Sequence, residues 1–255
     1  MFPSFDIDSL YAWMMALLRA GGLISVLPVF SAPSVPMQMR LVLAVFLAYL
    51  AGNYVPGHSS MPEQPAALAL VAGNELLIGL FMGLIVKIIF FAAEMAGQII
   101  SNEMGLTTGS TLDPASGNNF ATAGVLFSNL AALLLLTTGA YHSVLFAYLR
   151  SYRYAPVGNL GFSPGALDLF VTQTSQIFLL GVQMSAPVIA VNFVVTLTFA
   201  VLGKVAPSIN VFTESYSARI LAGLTVLGLT FGLAAQYVLG YLQNAPDLML
   251  QLVRR

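Results

Sequence analysis

GNELLIGLFMGLIVKIIFFAAEMAGQIISNEMG, from Gly73 to Gly105, decides the fold. The run is apolar throughout and broken only by glycines, a few small polar residues and four charges, Glu75, Lys87, Glu94 and Glu103. A helix needs about 20 mostly apolar residues to cross a bilayer, and this run is longer. On a helical wheel, Gly79, Gly83, Lys87, Glu94, Gly97, Gln98 and Ser101 fall within an arc of roughly 100°. Glu75 lies at the edge of that arc, and Phe90 interrupts it. The remainder is Leu, Ile, Phe and Met. Gly79 and Gly83 have GxxxG spacing, which lets another backbone come close. A charge at bilayer depth faces protein or water. The expectation is therefore that Gly79, Gly83, Lys87, Glu94, Gly97 and Gln98 form a subunit-packing face. Lys87 and Glu94 lie about 10 Å apart along the axis, too far to pair within one straight helix. Each is expected to have another partner, and structural pairing in a bundle is favoured over a proton relay.

The rest of the chain reads the same way. Of 255 residues, 58% are hydrophobic and 7% charged. Typical soluble domains carry about 25% charged residues, so this chain cannot coat itself with charge. Six apolar stretches stand out, at about 10–30, 41–55, 66–93, 120–149, 169–202 and 220–242. They are read as helices, because irregular backbone cannot face lipid and no barrel-like alternation is present. The fold class is all-α, an integral membrane domain over residues 1–255. The second stretch is short, and Pro187 is expected to kink or divide the fifth. Connections rich in Pro, Gly, Ser and Asn separate the stretches. The positive-inside rule does not choose an orientation: alternate loops would place Arg40, Lys204 and Arg219 against Arg150, Arg153, Arg254 and Arg255. Some stretches then do not cross, or partners place the chain.

Other function classes find little support. The net charge of −1 offers no field for nucleic acid. There is no cysteine, hence no disulfide framework and no thiolate metal site. Asp6 and Asp8 without a basic start argue against a cleaved secretory signal, so the N-terminus is read as retained. His58 and His142 stand alone, without metal-ligand spacing. His58 is read as solvated and His142 as a packing or interface residue. No catalytic, metal or cofactor residues are assigned. A small-molecule secondary transporter, with Lys87, Glu94 and Glu103 on an ion path and Pro187 at a broken helix, is the alternative of a different class. Paired interrupted halves, which it would need, are not seen.

The segment Met104 to Asn119 separates two long apolar stretches. It holds Gly105, Gly109 and Gly117, five Ser or Thr residues, and Asp113 before Pro114. Its helix content should be low. A connector of this length either is simply solvated or serves as a flap that can occupy and leave a passage. Asp113 and Pro114 suit a turn or a helix start.

From Glu75 to Asn118 the sequence resembles the FliR family of flagellar biosynthetic proteins and their injectisome relatives, the SctT proteins. The resemblance is carried by Ala96-Gly97, Ile99-Ile100, Met104-Gly105-Leu106 and Asp113-Pro114-Ala115-Ser116. SAPVIA at 185–190, with Pro187, and GKVAPSINVF at 203–212, with Lys204, Pro207, Asn210 and Phe212, match two later elements. The stretch from Arg19 to Phe30 fits the family's N-terminal element loosely. The polar run before Asp113 and the ESYSAR stretch at 214–219 depart from many members. The resemblance implies a non-enzymatic subunit of the type III export gate in the bacterial inner membrane and flagellar basal body. It implies FliP, FliQ and FlhB as partners, and unfolded flagellar proteins as cargo. It also implies helical hairpins that need not cross the bilayer conventionally. Finally, it implies a pore plug formed by Gly105, Leu106, Thr107, Thr108, Gly109, Ser110, Thr111, Leu112, Asp113, Pro114, Ala115, Ser116, Gly117, Asn118 and Asn119.

Overall fold

The computed structural model describes residues 7–52, 61–106, 122–158, 162–206 and 210–254. Among them every regular element is a helix: α1 (Ile7–Val26), α2 (Pro28–Ser31), α3 (Met37–Ala51), α4 (Pro65–Glu103), α5 (Thr122–Thr137), α6 (Ala140–Tyr154), α7 (Ala166–Val205) and α8 (Val211–Val253). Proline and glycine set many of the ends. Pro28 opens α2, Pro36 precedes α3, and Pro65 opens α4, where a missing N–H is no loss. Gly105 ends α4 at φ +74°. Its N–H bonds to the Asn102 carbonyl at 3.0 Å and the Leu106 N–H to the Ser101 carbonyl at 2.9 Å. That is the paired 5→2 and 6→1 closure of a Schellman turn, which needs a residue without a Cβ penalty in the left-handed region.

Four helices, α1, α4, α7 and α8, are long and apolar enough to cross a membrane. The pair α5–α6 is bent by 70° at its break and would make a fifth span if it acts as one. The six apolar stretches of the sequence thus correspond to α1, α3, α4, the α5–α6 pair, α7 and α8. Two details refine the expectation. Of the kink or division expected at Pro187, the division is absent: α7 runs 40 residues with this proline inside it. One lost backbone bond in so long a helix leaves the ladder on either side intact, and in lipid every other conformation would forfeit more. The fourth stretch, read as continuous, is broken instead at Gly139, which stands at φ +72° before α6.

The chain forms two compact units, and α4 contributes to both. In the unit built from Met1–Ile88, Leu135–Gln173 and Leu242–Arg255, α1 packs on α3 and on the first half of α4. Its core includes Ala16, Ala20, Leu23, Ala48, Ile78, Met82, Ile85, Tyr148 and Met249. Phe81 meets Phe162 and Phe170 edge to face at 5.4 and 5.2 Å. In the unit built from Ile89–Leu134 and Thr174–Tyr241, the second half of α4 is buried through Ala92, Ala93, Ala96, Ile100 and Met104. Phe127 of α5 and Phe231 of α8 contact at 6.0 Å in this unit.

The share of each helix enclosed by the chain separates core from exterior. For α4, 61% of its most apolar window is buried, against 11% for α7 and 17% for α8. α4 is the most enclosed of the four long apolar helices. α7 and α8 instead present Phe178, Phe193, Leu197, Val201, Leu221 and Leu229 outward. That apolar surface has to meet lipid or other proteins.

α1 and α4 pack almost backbone to backbone. A Cβ at Gly22 would stand 2.6 Å from the Leu76 carbonyl oxygen, and one at Gly83 2.9 Å from the Leu23 carbonyl oxygen. A Cβ at Gly79 would collide with the Arg19 carbonyl. Backbone cannot yield as a side-chain tip can. We expect Gly79→Ala to destabilise the protein by about 1–3 kcal/mol through overpacking. Gly73→Ala, on the same helix with open space around it, should be neutral or mildly stabilising. Thermal unfolding of the two variants in detergent checks this.

Candidate functional site

Two groups of residues stand out, one in each unit. The first is a charge enclosed where apolar helices meet. Arg19, midway along α1, and Glu75, near the start of the apolar part of α4, are both 0% exposed. Nε of Arg19 donates to Oε2 of Glu75 at 2.6 Å. The other arms of the guanidinium are used as well. Nη1 donates to the Ser151 hydroxyl at 2.9 Å, and Nη2 to the Ala155 carbonyl at 3.0 Å. Ala155 is the C-cap of α6, so the cation also sits at the negative end of that helix. The Tyr152 ring lies 4.1 Å from the guanidinium carbon, within cation–π range.

Tyrosines extend the cluster. The Tyr152 hydroxyl donates to that of Tyr148 at 3.0 Å, and Tyr148 in turn donates to the Ala16 carbonyl at 3.2 Å. One planar cation therefore ties α1, α4 and α6 through directed bonds. Arginine suits this because its fork addresses a carboxylate, a hydroxyl and a carbonyl at once. The chemistry is that of a fixed brace, with no nucleophile or metal-ligand set at its centre. Among the described residues, no group of three or more His, Asp or Glu could hold a metal ion.

The second group lies at the C-terminal end of α4. Gly97 packs directly on the backbone of Ala123 and Gly124 at the start of α5. Eight residues on, Gly105 lies under the Tyr216 ring of α8, and the Tyr216 hydroxyl donates to the Gly105 carbonyl. Gly223 of α8 holds the Met104 side chain. The point where the chain leaves α4 is thus pinned by α8 and closed by its own turn.

The residues expected to form one subunit-packing face separate in the structure. Gly79 and Gly83 are buried against α1 of the same chain, and Gly97 against α5. Their close approaches are used inside the molecule. Lys87 is half-buried and engaged by interactions of its own, while Glu94 and Gln98 are exposed. Of the expected plug, Gly105 is buried and Leu106 exposed. Thr107, Thr108, Gly109, Ser110, Thr111, Leu112, Asp113, Pro114, Ala115, Ser116, Gly117, Asn118 and Asn119 lie outside the described residues, as do Pro207 and His58. Pro187 is half-buried within α7, and Lys204 is exposed in its last turn. Asn210 stands just before α8, and its carbonyl accepts from the Glu214 N–H at 3.2 Å; Phe212 lies in the first turn. His142 is exposed and stacks on Tyr141 at 3.9 Å.

The Arg19–Glu75 pair was not foreseen, although its signal was present. Arg19 is the charge within the first apolar stretch, and Glu75 is the charge placed at the edge of the α4 wheel. A buried charge requires a partner of opposite sign, which makes the two natural mates. Breaking the pair leaves one ion enclosed and uncompensated. We expect Glu75→Gln or Arg19→Met to destabilise the protein by about 3–5 kcal/mol, and the double change Arg19→Met with Glu75→Met to recover much of that loss. A double-mutant cycle on thermal unfolding measures it.

The family model described as "Bacterial export proteins, family 1" matches residues 10–245. Flagellar biosynthetic protein FliR of Bacillus subtilis (strain 168) is 28% identical over 224 residues, covering 87% of this chain and 86% of the relative. The protein of the same name from Escherichia coli (strain K12) is 27% identical over 229 residues, covering 90% and 87%. Yop proteins translocation protein T of Yersinia pestis is 33% identical over 147 residues, covering 57% and 56%.

Proposed function

Because the chain belongs to the family of bacterial export proteins, family 1, we propose that it is a core subunit of the flagellar type III protein-export gate. In this reading it assembles with FliP and FliQ around the channel that passes unfolded flagellar proteins, in contact with FlhB. Its place is the bacterial inner membrane within the flagellar basal body. The observation that carries the reading is the family match over 10–245, joined to helices that leave apolar surface uncovered. A protein whose α7 and α8 expose Phe, Leu and Val along much of their length needs a lipid or protein environment. The flagellar branch is favoured over the injectisome branch by coverage. The two flagellar relatives above span 87% and 90% of this chain, against 57% for the translocation protein.

The role is that of a conduit and not of an enzyme. An export channel must pass an extended chain and still hold back ions. The segment Gly105 to Asn119 is suited to act as its plug. Gly, Ser and Thr make soft, non-selective contacts with any peptide, and displacing them disturbs little buried apolar surface. What supports this assignment is the segment's composition and the firm anchoring of its start at Gly105 by Tyr216.

Deleting residues from 109 to 117 is expected to leave the gate assembled but leaky to small ions. Conductance across membranes of cells carrying the variant reads this out. Assembly with unchanged conductance would remove the plug from the account.

A further inference from the structure

Glu94 and Gln98 stay on the outside of α4 while its two flanks are taken by the chain's own helices. On one flank, Gly97 packs on Ala123 and Gly124 of α5. On the other, Met95 lies against Gly181 of α7. These two positions stand about 160° apart on the helical wheel. The arc between them holds Phe91, Glu94, Gln98 and Asn102, and all four are exposed. The opposite side of α4, with Ala92, Ala93, Ala96 and Ile100, is buried.

The neighbouring helices turn this strip into the floor of a groove. α7 ends where Gly203 meets Val211 at the start of α8, and Tyr216 of α8 meets Gly105 at the end of α4. α7 therefore runs in the direction of α4. α5 runs the opposite way, since it starts against Gly97 and its Phe127 meets Phe231, well along α8 from Tyr216. Each has one closed flank and one open flank. On α7, Leu180 and Met184 to one side of Gly181 are buried, and Phe178 to the other side is exposed. On α5, Phe127 to one side of Gly124 is buried, and Val125 to the other side is exposed. With these helix directions, both open flanks turn to the side of Glu94. The groove thus has a polar floor on α4 and apolar walls at Val125 and Phe178.

Acyl chains cannot answer a carboxylate and two amides, so lipid is a poor occupant. Glu94 has no hydrogen-bond or ion-pair partner among the described residues. Its apolar walls favour an apolar neighbour, and its charge asks that neighbour for a cation. α5 and α7 hold α4 from nearly opposite sides, which leaves the breadth of one helix between them. A second copy of this chain fits badly. Among the described residues its exposed cations are Arg150 and Arg153 in the last two turns of α6, Lys204 in the last turn of α7, and Arg254 beyond α8. None stands midway along an apolar helix. We propose that the groove seats a helix of another apolar export protein, and that this helix presents a Lys or Arg to Glu94. The proposal rests on the reading of the chain as a gate subunit, and deepens it by naming a docking face and the chemistry of its neighbour.

The tagged full-length chain is extracted gently from its native membrane, and the amount held in a large particle is compared with the amount found alone. Glu94→Gln keeps the size of the side chain and removes its charge; Glu94→Asp keeps the charge. Glu94→Gln should lower the ratio about tenfold, through loss of one desolvated charge pair, and Glu94→Asp should lower it less. Glu94 is exposed within the chain, so both variants should accumulate like the unsubstituted protein. Separately, p-benzoylphenylalanine in place of Phe91 captures the occupant under ultraviolet light. The expected product is a cross-link to an apolar helix of another protein, with a Lys or Arg within two turns of the attachment. A ratio unchanged by Glu94→Gln overturns the proposal. Capture of a second copy, of lipid alone, of a helix without a basic residue, or of nothing also overturns it. Each of those failures leaves the unsubstituted chain in its particle and the gate reading standing. An unsubstituted chain recovered alone removes both.

Discussion

A guanidinium enclosed among apolar helices leaves little freedom to its surroundings. Arg19 has to find a carboxylate, and its other N–H groups have to find acceptors, or the helix that carries it would be expelled from the core. Glu75, Ser151 and the Ala155 carbonyl answer those demands from two other helices. Their directions fix the rotation of α1, α4 and α6 about their axes. The glycine contacts of Gly22, Gly79 and Gly83 depend on that rotation, because a turn of either helix would bring side chains where backbones now touch. Apolar packing alone tolerates many arrangements of similar area; an ion pair with directed bonds tolerates few.

The first half of α4 is held in that way, and its second half belongs to the other unit. There the glycines serve a different purpose. Gly97 admits the start of α5, and Gly105 closes the helix under Tyr216. The segment proposed as a plug begins at this closed end. The glycine-, serine- and threonine-rich composition of that segment is what suits it to the proposed role. The outward faces of α7 and α8 complete the picture of a subunit whose surface is unfinished by itself.

Much of this was legible in the sequence, and the rest was not, for physical reasons. Scarcity of charge and apolar runs of helical length identified a helical membrane protein and the position of its main helices. The special character of the run from 73 to 105 was also readable, because glycines and charges at helical spacing mark a crowded face. The occupant of that face was not readable. A helical wheel reports which residues share a side, but Arg19 is 56 positions from Glu75, and only the folded chain joins them. Glycines that invite close approach look the same whether the visitor is a sister protein or the chain's own first helix. Proline and glycine carried different weight. Pro187 was read as a kink or a division, and the helix continues through it undivided. Gly139, in a stretch otherwise apolar on both sides, is where the helix turns by 70°.

The central claim is that this chain is completed by other export proteins. Gentle detergent extraction of the tagged full-length chain from its native membrane, followed by mass measurement of the intact particle, tests it most directly. The account predicts a single large particle in which the chain is held in fixed ratio with other apolar export subunits. A stable monomer, with α7 and α8 covered by lipid or detergent alone, would contradict it.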